Sequence, residues 1–470
     1  MKLSPITPKT TRSKRFSIAG RPLIMGTIVL TVTGLITRTI GFFYRIYLSR
    51  LFGEEGMGIY QLLSPVLSLS FSLCAAAYQT AISKFVAEYS AQSSGRFKPL
   101  VTGLIISTPL SFLCTAIIYL HSDFIAGSLL LEPRTASMLR IMAFSIPFSS
   151  IHSCINGYFY GIKKTGAPAA AQLLEQLARV TCVYLVSASV IARGHTPSIN
   201  VAVLGLTVGE LVSMLVSLTA IFQVLRRHSA GSTALNMIAA GGRRIRHTHM
   251  FRGILGMALP LTLNRIVLNL LQSIEAVSIP ARLRLYGYDN TTALSVYGVL
   301  TGMAMPLIFF PNALTNSVSV LLLPLVSENY ALGDMPAVKS AISRTIKFCG
   351  ILGFVCMSTF FLLGDFVGTA LFDSPLAGHF ITTLSFLCPF LYLDATLSSI
   401  LQGLGKAGTI FVMNVLALLL RLVFVFQAIP VFGITGYLWG MLVSQIVLSL
   451  LYLLCLRRFL RRKNKKGSSS

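Results

Sequence analysis

Twelve apolar runs, each longer than 20 residues, leave this chain few ways to fold. They lie near 22–45, 57–80, 99–120, 137–160, 169–192, 200–224, 253–279, 293–325, 344–364, 379–401, 408–429 and 433–456. About 20 apolar residues in helical form cross the hydrocarbon of a bilayer. In that medium every backbone N–H and C=O must bond within the chain, so such runs are helices. The expectation is an all-α polytopic membrane protein with twelve transmembrane helices. Only 11% of the residues are charged, against about a quarter in soluble chains. The basic stretch before residue 22 and the apolar run after it look like a signal peptide. The run is too long, contains Arg38 and lacks a small-residue cleavage site, so it reads as a retained first span.

The basic residues orient the spans, because cytoplasmic segments collect lysine and arginine. With both termini in the cytoplasm, seven basic residues fall outside (Arg45, Arg50, Arg134, Arg140, Arg193, Arg282 and Arg284). Four fall within spans (Arg38, Arg179, Arg265 and Arg421), and the other 28 of 39 are inside. This bias accounts for the net charge of +25 without nucleic acid. The basic 225–252 loop and the RRFLRRKNKK tail are expected to touch anionic lipid headgroups.

The two halves repeat. Phe144, Pro147, Phe148, Gly161, Lys164, Gly166 and Arg179 recur 242 residues later as Phe386, Pro389, Phe390, Gly403, Lys406, Gly408 and Arg421. Gly205, Gly209 and Arg226 recur 231 residues later as Gly436, Gly440 and Arg457. Spans 4 to 6 therefore return as spans 10 to 12. Six spans per half give two lobes of the same orientation, a parallel repeat of the kind found in transporters around an interfacial site. The domain reading is a basic cytoplasmic N-terminus (1–21), one six-helix lobe (22–224), a basic linker (225–252), a second six-helix lobe (253–456) and a basic tail (457–470), around a central cavity.

Charge inside a membrane helix is expensive and marks a pathway or a site. In the first span Thr31, Gly34, Arg38 and Arg45 fall on one stripe, and in the seventh Arg265, Asn269 and Gln272 do, with Glu275 slightly off it. Two polar stripes, each on the first helix of a half, predict one basic cavity between the halves that takes a phosphate or carboxylate. Arg38, Arg45, Arg265, Asn269, Gln272 and Glu275 are the substrate-binding candidates. Arg179 is expected to pair with Glu175 four residues before it. Arg421 is expected to pair with Asp394 or bind headgroups, and Arg50 to bridge to Glu54 or Glu55 in a loop. Gly56 and Gly58 read as packing positions.

Nothing marks an enzyme. The acidic residues of the spans (Glu175, Glu210, Glu275 and Asp394) show no catalytic spacing, and no nucleotide-binding sequence occurs. The eight cysteines and seven histidines show no metal-ligand spacing, and the cysteines read as buried apolar groups. No cofactor is expected, and the coupling ion is unspecified.

The stretch TVTGLITRTIGFFYRIYLSRLFGEEGMGIYQLLSPV (31–66), with AAAYQTAISKFVAEYSA after it, resembles the stage V sporulation protein B group of polysaccharide biosynthesis proteins. That group belongs to the multidrug/oligosaccharidyl-lipid/polysaccharide (MOP) exporter superfamily. The R-x-x-G-F motif at Arg38–Phe42 and the V-A-E-Y end of span 2 are also similar to the lipid II flippases of that superfamily. The resemblance implies a cationic cavity between two lobes that takes the pyrophosphate of an undecaprenyl-linked precursor. Arg38 carries over directly and Arg45 with a shift of one residue. No basic residue lies near Ser70–Phe71, where those flippases carry arginine, and their two extra helices are missing after residue 456. The expected function is a flippase for a lipid-linked oligosaccharide or peptidoglycan precursor, working by alternating access as a monomer in the bacterial cytoplasmic membrane. The competing readings are a cation-coupled multidrug exporter, which needs an acidic cavity, and a non-transporting scaffold of a sporulation or wall-synthesis complex.

Overall fold

The computed structural model describes residues 21–89, 97–228 and 247–467, and every regular element among them is a helix. The basic N-terminus, most of the 225–252 linker and the side chains of the distal tail lie outside the described residues. Among the described residues, eleven helices are long and apolar enough to cross a membrane. They are α2 (Ser64–Tyr89), α3 (Lys98–Leu120), α4 (Thr135–Gly161), α5 (Gly166–Ala192), α6 (Asn200–Arg226), α7 (Met250–Tyr286), α8 (Asn290–Phe309), α9 (Met335–Phe372), α10 (Pro375–Gly403), α11 (Ala407–Gln427) and α12 (Ile434–Leu460). The twelfth is α1 (Arg21–Gln61), which carries Arg38, Arg45 and Arg50. The chain is a multi-pass membrane protein of twelve helices in two lobes.

The boundary between the first two spans differs from the sequence expectation. Residues 46–56 form no loop. Helix α1 runs through them and kinks at Gly53, whose φ of 70° suits a residue without Cβ. A second break at residues 62–63 precedes Ser64–Pro65, and Pro65 has no N–H to continue the ladder. Span 8 is interrupted likewise: α8 ends at Phe309, and Pro311 caps a further helix, Asn312–Ala331.

The repeated glycines explain why the halves match. A Cβ at Gly205 would lie 2.3 Å from Val183 Cγ2, and one at Gly440 would lie 2.4 Å from Phe424 Cβ. Both positions let the sixth helix of a half lie directly on the fifth. Gly161 faces Val86 and the Ser83 carbonyl of α2, while Gly403 faces Val326 and the Leu323 carbonyl of the span 8 continuation. The fourth helix of each half thus packs on the second in the same way.

Among the described residues, the buried apolar ones form three clusters. One lies toward the face away from the chain ends and joins both lobes, from Tyr44, Leu48 and Met57 to Leu294, Tyr297 and Phe380. The other two lie toward the chain-end face. One holds residues of the first lobe with Met250, Ile254 and Ala258 from the start of α7. The other, from Leu322 to Leu456, belongs wholly to the second lobe. The lobes therefore share a broad core at one face, while at the other only the start of α7 joins the first lobe.

Candidate functional site

Between the lobes lies a cavity of about 760 Å³. Helix α1 supplies Thr37, Arg38, Gly41, Tyr44, Arg45 and Leu48 at the three-to-four-residue spacing of one helix face. From α5 come Gln176 and Arg179, from α7 Gln272 and Ser273, and from the far side Thr301, Asn312 and Asn316. Three arginines thus face one space, and among the described residues that line it there is no aspartate or glutamate. An arginine fork holds a carboxylate or phosphate through paired, charge-assisted N–H···O bonds. Three forks around one pocket suit a polyanion better than a cation.

The six candidates separate. Arg38, Arg45 and Gln272 line the cavity. Arg265 lines a different pocket nearer the chain-end face, with Gln79, Thr80, Lys84 and Tyr160. It lies seven residues from Gln272 on the same face of α7, and seven residues of helix advance about 10 Å along the axis. Asn269 is taken up between the lobes, donating to the Ser68 carbonyl (3.2 Å) and the Ser72 hydroxyl (2.6 Å) of α2.

Glu275 turns away from the cavity and into its own lobe, where it is 5% exposed. It accepts from Arg421 Nη2 (2.9 Å) and from the Tyr437 hydroxyl (2.7 Å), and its Oε1 lies 2.7 Å from Arg421 Nε. Arg421 therefore pairs with Glu275 and not with Asp394, which accepts from Gln445 (2.5 Å) and Ser449 (2.7 Å). Glu275→Ala leaves the Arg421 charge buried and unpaired. The expected loss of stability is about 3–5 kcal/mol, read as unfolding in detergent; a change near zero would mean that the pair is replaced by water.

Arg179 is a cavity-lining residue for which the sequence suggests only a structural pair. It does pair with Glu175 at 2.7 Å, as the i−4 spacing implies. It also lines the cavity. Its repeat mate Arg421 lines a smaller cavity of about 370 Å³ within the second lobe, with Asp394, Asn414 and Gln445.

The face away from the chain ends is closed by bonds between the lobes. Arg50 makes no loop salt bridge. Its Nε donates to the Leu371 carbonyl (2.9 Å) and its Nη2 to the Ala370 carbonyl (2.5 Å), at the C-terminus of α9, whose free carbonyls attract a cation. The Ser374 hydroxyl donates to Glu54 Oε1 (2.5 Å), and Asn290 Nδ2 donates to Glu132 Oε2 (2.9 Å). Beneath these bonds the helices touch through glycine. A Cβ on Gly58 would lie 2.1 Å from the Leu294 carbonyl oxygen, and one on Gly298 would lie 2.2 Å from that of Glu54.

Glu132, in the loop before α4, makes this closure sensitive to acid. Its burial works to raise its pKa, but hydrogen bonds from Arg134 and Asn290 outweigh that and hold the carboxyl below its ordinary value of 4.5. A depressed carboxylate adds stability above its unfolded pKa and loses it as pH falls through the folded value. The expected result is weaker interlobe closure at pH 3 than at pH 7. The distance between spin labels across this face reads it, and Glu132→Gln removes the pH dependence.

Comparison with known proteins agrees with the fold. Residues 23–330 match the family described as polysaccharide biosynthesis protein. Stage V sporulation protein B of Bacillus subtilis (strain 168) is 28% identical over 439 residues, covering 93% of this chain and 83% of that protein. Lipid II flippase MurJ of the same organism is 21% identical over 417 residues, covering 85% and 76%. Among solved structures, the inward-facing conformation of a multidrug resistance MATE family transporter of the MOP superfamily superposes with a TM-score of 0.72 at 15% identity. It covers 94% of this chain and 99% of that one.

Proposed function

Since the chain belongs to the polysaccharide biosynthesis protein family, we propose that it is a flippase for an undecaprenyl-pyrophosphate-linked precursor of peptidoglycan or a wall polysaccharide. One relative is named as a lipid II flippase, and a structural neighbour as a multidrug resistance transporter. The observation that carries the reading is the convergence of Arg38, Arg45 and Arg179 on one interlobe cavity whose described lining residues include no carboxylate. A pyrophosphate diester offers two negative phosphates to such forks. Gln272, Asn312 and Asn316 offer neutral donors and acceptors to sugar or peptide. A cationic drug would meet three like charges there, which argues against the multidrug reading.

The distribution of lysine and arginine favours chain ends in the cytoplasm, the side where such precursors are made. The Arg50, Glu54 and Glu132 bonds then close the outer side. Alternating access follows if those bonds break while the chain-end face closes, so that one cavity is exposed first to one side and then to the other. Depletion of the protein in cells tests the assignment. A pyrophosphate-linked lipid intermediate is expected to accumulate in the inner leaflet; unchanged pools of every such lipid would contradict it.

A further inference from the structure

Behind the cavity arginines lies a cluster of protonatable groups that the anion site does not use. His152 of α4 places Nε2 at 2.8 Å from Glu210 Oε2 of α6. Ligand-type atoms of His152, Glu210 and Glu175 all lie within 4.8 Å of one another. Glu175 in turn accepts from Arg179 Nη2 at 2.7 Å, and Arg179 lines the cavity beside Arg45, Tyr44 and Tyr60. The small residue Gly209 permits this, since a Cβ there would be 3.0 Å from the Glu175 carbonyl oxygen. Within the cluster two carboxylates face each other with one permanent cation. That leaves one negative charge too many for a poorly solvated place unless a proton is held among them.

We propose that His152, Glu210 and Glu175 form a proton-binding site linked through Arg179 to anion binding in the cavity. The inference rests on reading the cavity as an anion site. When the anion draws the guanidinium, Glu175 loses part of its counter-charge. A proton from cavity water then enters the cluster, on a glutamate oxygen or on His152. By linkage, a proton taken up on anion binding makes the anion bind more tightly as pH falls.

Two further observations support a proton rather than a metal ion. Asn156 is 9% exposed, its Oδ1 has no donor, and its Nδ2 lies 3.4 Å from His152 Nδ1. As placed, the amide suits a ring whose Nδ1 is bare. Turned over, it presents the unpartnered Oδ1 to an Nδ1–H, so the two orientations of one amide satisfy both the neutral and the charged imidazole. The second is the repeat. Asp394 stands 242 residues after His152, the offset that relates Arg179 to Arg421. It is buried, with the neutral Gln445 and Ser449 as its donors. Each half thus sets a protonatable side chain at the same step of its fourth helix. A metal ion, by contrast, would have to displace the bonds that already engage His152 Nε2, Glu210 and Glu175.

The test uses the full chain in lipid nanodiscs and a short-chain prenyl-pyrophosphoryl sugar, whose phosphates do not titrate near neutrality. Titration calorimetry near pH 7, in buffers of different ionisation enthalpy, counts protons taken up per ligand. About one is expected, with affinity rising by up to about tenfold per unit fall in pH where the site titrates. In Glu210→Gln and His152→Gln the uptake and the pH dependence should both disappear. Binding without proton uptake in the native chain overturns the inference and leaves the anion site standing. Absence of binding overturns the anion site itself. A ligand-free arm separates the two: Arg179→Gln should show a protonated carboxyl band in infrared difference spectra that is lost in Arg179→Gln/Glu175→Gln. A spectrum without that band sinks the proton site whatever the ligand does.

Discussion

Replacing Arg38 and Arg45 together by glutamine is expected to lower the affinity for a prenyl-pyrophosphoryl sugar by about 100-fold or more. Each arginine can give charge-assisted hydrogen bonds to the phosphates, and such bonds contribute about 1.5–3 kcal/mol each. At 1.4 kcal/mol per factor of ten, two of them reach that range. Both side chains sit on the cavity face of α1. Glutamine keeps a polar stem there and removes only the charge and the fork. Arg265→Gln serves as the internal contrast, because its side chain lines a separate pocket. Its effect on equilibrium binding should stay under about threefold, since screening reduces interactions beyond a Debye length of about 8–10 Å. Equal losses in both variants would mean that the two pockets act as one site.

The second large effect is expected at the glycine contact. Gly58→Ala places a methyl carbon 2.1 Å from the Leu294 carbonyl oxygen, and backbone cannot yield as a flexible side chain can. The helices must separate on that face. Overpacking of this kind opposes the closed arrangement by about 1–3 kcal/mol or more, which shifts a two-state population by roughly fivefold to more than 100-fold. Spin labels at the exposed positions His195 and Thr291, one in each lobe, should report a longer distance in Gly58→Ala than in the native chain. Gly298→Ala should do the same, because its added carbon would meet the Glu54 carbonyl oxygen and Gly58. Gly34→Ala provides the control, as no atom lies within 4 Å of a Cβ there. Unchanged distances in both contact variants would show that the glycines do not set the closure.

How far the sequence discloses this arrangement depends on the range of the interaction. Helix number follows from hydropathy alone, because lipid leaves the backbone no alternative. The duplication follows because Gly161 and Gly403, or Gly209 and Gly440, perform the same packing task in each half. The Arg179–Glu175 pair was legible because both groups lie on one helix, a turn apart. The partners of Arg50 and Arg421 were not. Nearness in sequence suggests Glu54 or Glu55 for Arg50, whereas the carbonyls it binds lie 320 and 321 residues away. Glu275 sat only slightly off the polar stripe of α7, and that rotation suffices to bury it against Arg421. The stripe also treated Arg265 and Gln272 as one site, because periodicity fixes direction around a helix and not depth along it. Arg179 shows the converse: its ion pair was visible and its cavity role was not, since a side chain can do both.

Reconstitution tests the central claim most directly. Purified protein in liposomes, with a fluorescent short-chain prenyl-pyrophosphoryl sugar in both leaflets, allows the transfer rate to be read by quenching from outside. Transfer well above that of protein-free vesicles is expected, reduced to that background by Arg38→Gln/Arg45→Gln, with no transport of a cationic dye. Transfer that survives in the double variant, or transport of the dye in place of the anionic lipid, would contradict a cationic cavity built for pyrophosphate.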